Sequence, residues 1–436
     1  MFISISGFLQ VVKKSIGVFP IIFCAIFIVS VFTTSVYAEG NSQEVAKKPL
    51  SKALTLESSD GNNSITFGFV LQLQFQYVNK DNGNGVDKDN NTQFRFRRIR
   101  PIIKGKLINK KLSYKVQFST APGAIELVDA YINYKFNKHI SLMVGQHKIP
   151  FTRYRTTSVQ FVDWAIVTKY FGAERQVGLS IHNTSKTPPK FEYTFGVFQG
   201  QNARKSHGVG MSMISGEELV NCSNLADAQA LDELHPLVAG RFFYNHNGIV
   251  TKKDGDFKKG PFRFAAGLSA SYDFRSKAYR DFSFRLAPEF LMKVRGFSFS
   301  AVYYLTMFEQ DGKFSDTSIA FQSVLVNTGY VFNKYLELAM RFALIASSDT
   351  LRSDTQNRGA ALIAAGTTPD EIKELTDQYG KAGLMKREWE ATIGLNYYIF
   401  GTTLKLATDF GWQRHQFVGS DDKDDFIARM QLELNL

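Results

Sequence analysis

The stretch that decides the fold is Ser64-Ile-Thr-Phe-Gly-Phe-Val-Leu-Gln-Leu-Gln-Phe-Gln-Tyr77. Apolar or aromatic residues occupy every second position from Ile65 to Tyr77, and the positions between them are mostly small or polar. Successive side chains of a β-strand point to opposite faces, so this strand has one apolar face and one polar face. It is also much longer than the usual strand of about 5–6 residues.

The same alternation returns along the rest of the chain, and it predicts an all-β fold. Long strands with an apolar-aromatic face and a polar face are typical of a transmembrane antiparallel β-barrel, whose outside meets lipid and whose lumen holds water. A secreted β-sandwich or β-helix is the alternative, and the strand length and the bulk of the apolar face count against it. We predict sixteen strands, near 64–79, 94–107, 112–120, 126–136, 141–151, 175–183, 191–198, 239–247, 262–276, 281–295, 297–309, 318–332, 335–346, 389–400, 402–417 and 425–436.

The connections between these strands alternate in length. Tight turns are predicted at 109–110, 137–138, 333–334 and Gly401, because Asn and Gly accept left-handed backbone. Longer loops are predicted at 81–93, 152–174, 199–238 and 347–388. Short periplasmic turns and long extracellular loops are expected of a bacterial barrel, although the turn at 248–261 is unusually long.

The first 38 residues carry a targeting signal. Lys13 and Lys14 precede an apolar run over 16–32, and Val36-Tyr37-Ala38 offers small residues at a cleavage site. This pattern predicts a cleaved secretory signal peptide at 1–38, with an uncleaved membrane anchor as the alternative. We further predict a short polar leader at 39–63 and the barrel at 64–436.

Composition excludes several classes of protein. The 436 residues are 44% hydrophobic and 14% aromatic, which is too apolar for a disordered chain, and two Cys cannot build a disulfide scaffold. The formal charge of +12 becomes +10 once the two lysines of the signal are removed, leaving 52 − 2 = 50 basic against 40 acidic residues. The sequence contains neither metal-ligand spacing nor a nucleophile elbow, so we expect no metal, no cofactor and no enzymatic activity.

The most basic stretch is 94–107, which reads FRFRRIRPIIKGKL. If its phenylalanines face lipid, its arginines face the lumen, and a bulge at Arg97-Arg98 keeps the later bases inward as well. A base facing lipid at mid-depth costs about 2–4 kcal/mol, which favours the lumen. We therefore assign an anion path to Arg95, Arg97, Arg98, Arg100, Lys104, Lys106 and Lys115. The alternative is that these bases pair with lumen acids, for which the candidates are Asp129, Glu192, Asp273, Glu289, Glu337 and Asp409.

The loop at 152–174 combines bases with many aromatic residues. Such a loop is costly to leave in water, so it is expected to fold into the barrel mouth and place Arg153, Arg155 and Lys169 at a constriction. Packing against a neighbouring subunit is the alternative.

Three segments resemble the phosphate-selective porin O and P family. The first is the basic stretch at 97–107, the second spans 127–134 and 144–151, and the third is 174–178. The matching positions in the second segment include Asp129, Gly145, Lys148 and Pro150, whereas His147 stands where the family often has Phe. The resemblance implies a sixteen-stranded barrel, a homotrimer, and an arginine-lysine path for phosphate or polyphosphate.

These observations together predict an outer-membrane porin that passes small anions such as phosphate by passive diffusion. Its other partners are expected to be outer-membrane lipid and lipopolysaccharide, with no nucleic acid. A non-selective porin is one alternative, and a barrel serving as an adhesin or structural surface protein is another.

Overall fold

The structure is a computed structural model of the chain. It describes residues 55–81, 88–108, 110–120, 125–154, 160–171, 175–183, 188–199, 236–248, 254–274, 282–309, 318–333, 335–347, 385–417 and 422–436. The predicted signal peptide at 1–38 lies outside these residues, as do most of the loops at 199–238 and 347–388.

Seventeen strands and one short helix form the described part of the chain. The helix α1, Val167–Phe171, lies in the connection between β6 and β7. The strands are β1 Thr55–Glu57, β2 Ser64–Asp81, β3 Lys88–Leu107, β4 Leu112–Ser119, β5 Glu126–Lys135, β6 Ser141–Lys148, β7 Arg175–His182, β8 Phe191–Phe198, β9 Leu237–His246, β10 Arg263–Phe274, β11 Phe282–Val294, β12 Phe297–Glu309, β13 Ser318–Val331, β14 Leu336–Ser347, β15 Met385–Phe400, β16 Leu404–Phe417 and β17 Lys423–Asn435.

Strands β2 to β17 close into one antiparallel barrel. Each strand pairs with its neighbours in sequence, and β17 returns to pair with β2, from Phe426 opposite Asn79 to Asn435 opposite Val70. The backbone N–H of Leu436 then donates to the carbonyl of Phe69 at 2.9 Å. The sixteen predicted barrel strands are thus confirmed.

Strand β1 is an addition that the alternation did not predict. It pairs with β2 over Ser64–Thr66, just beyond the point where β17 ends. Three residues are too few to show a period, which is why the segment resembled an irregular leader.

The two faces of the barrel wall differ as the alternation predicts. Outward side chains near the middle of the strands are large, apolar and exposed, among them Phe67, Phe96, Leu268, Phe290 and Ile393. Inward side chains include nearly all the buried charged residues of the strands. Among the described residues no helix is both long and apolar enough to cross a membrane.

The connections follow the predicted division into two ends. Tight turns join β3 to β4, β5 to β6, β11 to β12 and β15 to β16, and the chain terminus lies at the same end. Lys110, Arg295 and Gly401 have positive φ angles of 63°, 46° and 57° in three of these turns. The connection between β6 and β7 leaves from the opposite end.

Candidate functional site

The connection between β6 and β7 has its described residues inside the barrel. We call its described residues, 149–154 and 160–171, the lumen loop. Its apolar side chains form one buried cluster with inward residues of β8, β9 and β11 to β14. Members of that cluster from the loop are Ile149, Phe151, Tyr154, Ala165, Ile166, Val167 and Phe171. Burial of this much apolar surface holds the loop against that side of the wall.

Arg153 fastens the start of the lumen loop. Its side chain is 1% exposed, and its guanidinium donates to Glu192 at 2.8 Å and to Asn245 at 3.0 Å. The guanidinium also lies 3.8 Å from the ring centroid of Phe243. Burial lowers the pKa of Arg153 to about 10, with the charge of Glu192 opposing the shift, so the side chain stays charged at neutral pH.

Wall carboxylates also bind the loop backbone. Glu289 accepts from the backbone N–H of Arg153 at 2.9 Å. Asp409 accepts from that of Val162 at 2.9 Å, and Glu390 from that of Ile166 at 2.5 Å. Charge-assisted hydrogen bonds of this kind are about twice as strong as neutral ones, so the loop is held by several wall strands at once.

Arginines complete the attachment at the far end of the loop. Arg341 donates to Glu390 at 2.7 Å and to the carbonyl of Asp163 at 2.9 Å. Arg429 donates to Asp409 at 2.7 Å. The acids of β15 and β16 are therefore neutralised where the loop passes over them.

The opposite wall, formed by β3 and β4, stays open to the lumen. We call its inward bases the basic wall: Arg95, Arg97, Arg98, Arg100, Lys104, Lys106 and Lys115. Opposite Gln72, β3 carries an extra residue, so Arg98 pairs with Gln72 and Phe96 with Leu73. This bulge keeps both Arg97 and Arg98 on the lumen side while Phe94 and Phe96 are 71% and 52% exposed outside.

Several bases of the basic wall are not balanced by acids. Arg95 donates to two neutral partners, Gln74 at 3.0 Å and Gln76 at 3.3 Å. Arg95, Lys104 and Lys106 are exposed, and Arg98 is half-buried. Within the described part of the chain, these four bases form no ion pair.

The lumen loop meets the basic wall at Asp163. Its carboxylate forms an ion pair with Arg97 and lies 3.6 Å from Arg429 on β17. Burial raises the pKa of Asp163, but the charges of Arg97 and Arg429 outweigh it, so the pKa lies below its usual range. One carboxylate of the lumen loop thus lies between two arginines of the wall.

A second balanced cluster lies next to the basic wall. Asp129 is 4% exposed, and it accepts from Lys115 at 2.6 Å and from the guanidinium of Arg175. Lys115 therefore carries less uncompensated charge than the neighbouring Lys104, which it faces in the register between β3 and β4.

Residues 66–214 match the model of the family phosphate-selective porin O and P. This region contains the basic wall and the whole connection that carries the lumen loop. Over these residues the chain is similar to the porin O and P family. The protein is an outer-membrane porin, which is a channel and not an enzyme. Its functional site is the lumen of the barrel.

Solved structures of other porins share the fold at low sequence identity. The outer-membrane channel DcaP of Acinetobacter baumannii is 11% identical, with a TM-score of 0.53 over 87% of this chain and 99% of that one. The anion-selective porin of Comamonas acidovorans is 11% identical, with a TM-score of 0.51 over 86% and 100%. OprB of Pseudomonas putida is 11% identical, with a TM-score of 0.54 over 85% and 94%. No curated protein matches the sequence.

Three of the positions that carry the family resemblance, Gly145, Lys148 and Pro150, lie near the base of the lumen loop. Gly145 has a φ of 120°, and a Cβ there would lie 2.3 Å from the carbonyl oxygen of Ala130, so only Gly fits. Pro150 is buried where the chain turns into the lumen, and Lys148 pairs in register with Arg175. His147, in place of Phe, bonds to Ser180 at 2.9 Å and packs against Phe198.

Of the three predicted constriction bases, the structure describes the side chain of Arg153. Arg153 is buried in the wall contacts described above, so it does not face the open lumen. Arg155 lies outside the described residues, and Lys169 lies in α1 with its side chain outside the description. The role of these two bases stays a prediction.

Sequence reasoning missed Glu390, Arg341 and Arg429, which bind the lumen loop. The two-residue period of each strand puts these side chains on the inward face, so the sequence alone predicts that they point into the lumen. The period does not show which other strand or which loop each of these side chains contacts. In the part of the chain that the structure describes, no group of His, Cys, Asp and Glu could hold a metal ion.

Proposed function

We propose that the porin conducts small anions selectively along the basic wall. The observation that carries the proposal is the division of the lumen into two sides. Acids of the β8 to β16 side bind the lumen loop and the arginines that contact it, whereas Arg95, Arg98, Lys104 and Lys106 on the other side lack acidic partners among the described residues. Net positive charge in a narrow water-filled tube attracts anions and repels cations.

Phosphate is the anion class that the bases suit best. The planar guanidinium of Arg presents paired donors that match phosphate oxygens, and Lys adds point charges further along the path. A permeating ion must bind weakly and repeatedly so that it can leave again. Bases from Arg95 to Lys106 supply successive sites along one strand, and the family resemblance also implies phosphate or polyphosphate.

Phosphate block of the chloride current tests the substrate. We expect added inorganic phosphate to reduce chloride conductance in planar bilayers, and Arg98→Gln to weaken that block. The matched control is Lys138→Gln, which removes one base from an exposed turn between β5 and β6. Equal block in Arg98→Gln and in the unmodified protein would exclude the basic wall as the phosphate site.

The rival functions have their own outcomes in the same experiment. Equal conduction of anions and cations would favour a non-selective porin, in which the lumen charges only shape the electric field across the pore. Absence of conductance in correctly folded protein would favour an adhesin or structural surface barrel.

We further propose export by a signal peptide cleaved after Ala38 and assembly into homotrimers in a lipopolysaccharide-containing outer membrane. The pattern at 1–38 supports cleavage, and the family resemblance supports the trimer. N-terminal sequencing of the membrane-inserted protein tests the first, with Glu39 expected. Migration of unheated, cross-linked protein at three times the monomer mass tests the second.

A further inference from the structure

In its described second half, the connection between β9 and β10 folds back into the lumen. We call its residues 254–261 the inner turn. It belongs to the end of the barrel where the other connections are shorter, from the pair 295–296 between β11 and β12 to the eight residues 183–190 between β7 and β8. A hairpin at that end needs only about 2–5 residues, so the extra length calls for a physical reason.

Asp256 fixes the inner turn to the neighbouring hairpin. The residue is 1% exposed, and its carboxylate accepts from Arg263 at 2.5 Å and from the backbone N–H of Gly296 at 3.0 Å. The carbonyl of Gly260 accepts from the backbone N–H of Arg295 at 3.0 Å. Because the buried carboxylate of Asp256 has its hydrogen-bond partners in place, the inner turn is held in one defined conformation.

From this attachment the inner turn reaches across the wall. The carbonyl of Gly255 accepts from the buried Lys293 of β11 at 3.3 Å. The ring of Phe257 packs edge-on against that of Tyr398 on β15, with centroids 4.8 Å apart. Lys259 donates to the carbonyl of Phe332, beyond β13, at 2.7 Å. The inner turn therefore covers the lumen side of the wall from β10 to β15.

The inner turn and the lumen loop lie on the same side of the barrel. Glu337 on β14 accepts from Gln160 of the lumen loop at 2.6 Å, and a Cβ on Gly255 would lie 2.2 Å from the same carboxylate oxygen. Tyr154 and Gln160 of the loop line one cavity together with Asp254 of the turn. Both insertions thus narrow the lumen from the side opposite the basic wall.

We propose that the inner turn is a second constriction, at the periplasmic mouth, which sets how fast anions leave the channel. In this arrangement the basic wall determines the sign of the ion, and the inner turn determines the open cross-section at the exit. The inference rests on the proposed function, since it requires that the porin conducts.

Deletion of residues 254–261 tests the constriction. Residues 248–253 remain to join β9 to β10, and the deletion leaves both the basic wall and the lumen loop intact. Because conductance follows the open cross-section, we expect single-channel conductance to rise by about two-fold or more. We also expect the preference for chloride over potassium to persist. Unchanged conductance, or loss of the chloride preference, would overturn the proposal.

Gly255→Ala and Gly260→Ala form a matched pair that keeps the chain length. The new methyl at Gly255 meets the tethered Glu337 and pushes the inner turn away from the wall, so conductance should fall. At Gly260 the nearest atom to a Cβ is the guanidinium carbon of Arg263 at 3.4 Å, an ordinary contact, so conductance should match the unmodified protein. Equal conductance in all three proteins would contradict the proposal even if the deletion failed to fold.

The two proposals fail separately. A chain that prefers cations refutes the proposed anion path, whichever conductance the deletion gives. A chain that prefers chloride but conducts equally well with and without the inner turn refutes the second constriction alone.

Discussion

Arg97 and Asp163 are the residues at which the lumen loop and the basic wall meet, and their charges oppose each other. Replacing Asp163 with Asn removes the acid, so the permeability ratio of chloride to potassium should rise. Replacing Arg97 with Gln should lower it. We expect changes of about five-fold, because unit charges about 4 Å apart interact by about 1 kcal/mol in water. Reversal potentials in a salt gradient measure both ratios.

The control for this pair is Asp60→Asn, which makes the same charge change in the exposed connection between β1 and β2. It should leave the ratio unaltered. If Asp163→Asn gave the ratio of the unmodified protein, the loop carboxylate would not lie on the ion path.

The lowered pKa of Asp163 predicts how selectivity depends on pH. A carboxyl whose pKa is depressed in the folded protein keeps its ion pair above its ordinary pKa and loses it as pH falls through the lowered value. The chloride preference should therefore stay constant from neutral pH to the ordinary value of 3.8 and rise only below it. Reversal potentials across a pH series test this, and Asp163→Asn should show a smaller rise. Identical pH profiles would contradict the assignment.

For individual residues, the sequence predicted which face of the strand the arginine side chains lie on, but not which residues they bind. The bulge at Arg97-Arg98 follows from phenylalanines that must face lipid on one side of it. The burial of Arg153 could not be predicted from the sequence. Its partners Glu192 and Asn245 lie on other strands, and the alternation does not show how close those strands come to the loop.

The lumen loop is the element whose position depends most on charge. Arg153→Ala removes the guanidinium that pairs with the buried Glu192, and loss of one partner of a buried pair costs about 3–5 kcal/mol. We expect the barrel to form but the loop to detach. Limited trypsin digestion should then cut between residues 149 and 171 faster than in the unmodified protein.

Arg95→Ala is the control for that experiment, because Arg95 is exposed and bonds only to side chains of the neighbouring strand β2 among the contacts described. Its loop should be cut at the rate of the unmodified protein. Equal protection of the loop in Arg153→Ala would show that the apolar cluster alone holds the loop.

Strands were the most predictable elements, because lipid on one side and water on the other enforce period two over ten or more residues. The short β1 lacks a period and was missed. Glu289 and Asp409 were candidate partners of the basic wall in the alternative interpretation, but both bind the backbone of the lumen loop, as does Glu390, which was not predicted. A carboxylate in a barrel can reach a loop that crosses the lumen, and strand periodicity contains no information on that crossing.

For the whole molecule, the closed barrel depends on its apolar outer face. Phe290 lies near the middle of β11, points outward and is 37% exposed. Phe290→Lys should destabilise the inserted barrel by about 2–4 kcal/mol, since a base at mid-membrane is exposed to lipid. Phe290→Leu, which keeps an apolar side chain, should be much less harmful. Heat-induced unfolding on gels compares them, and equal unfolding temperatures would contradict the assignment of the faces.

The barrel is a tube divided lengthwise, with loop-bound acids on one side and exposed bases on the other. The zero-current potential across a planar bilayer with unequal potassium chloride concentrations tests this account most directly. If the basic wall controls permeation, chloride crosses faster and the dilute side becomes negative. A dilute side that becomes positive would mean that potassium crosses faster, and it would contradict the account.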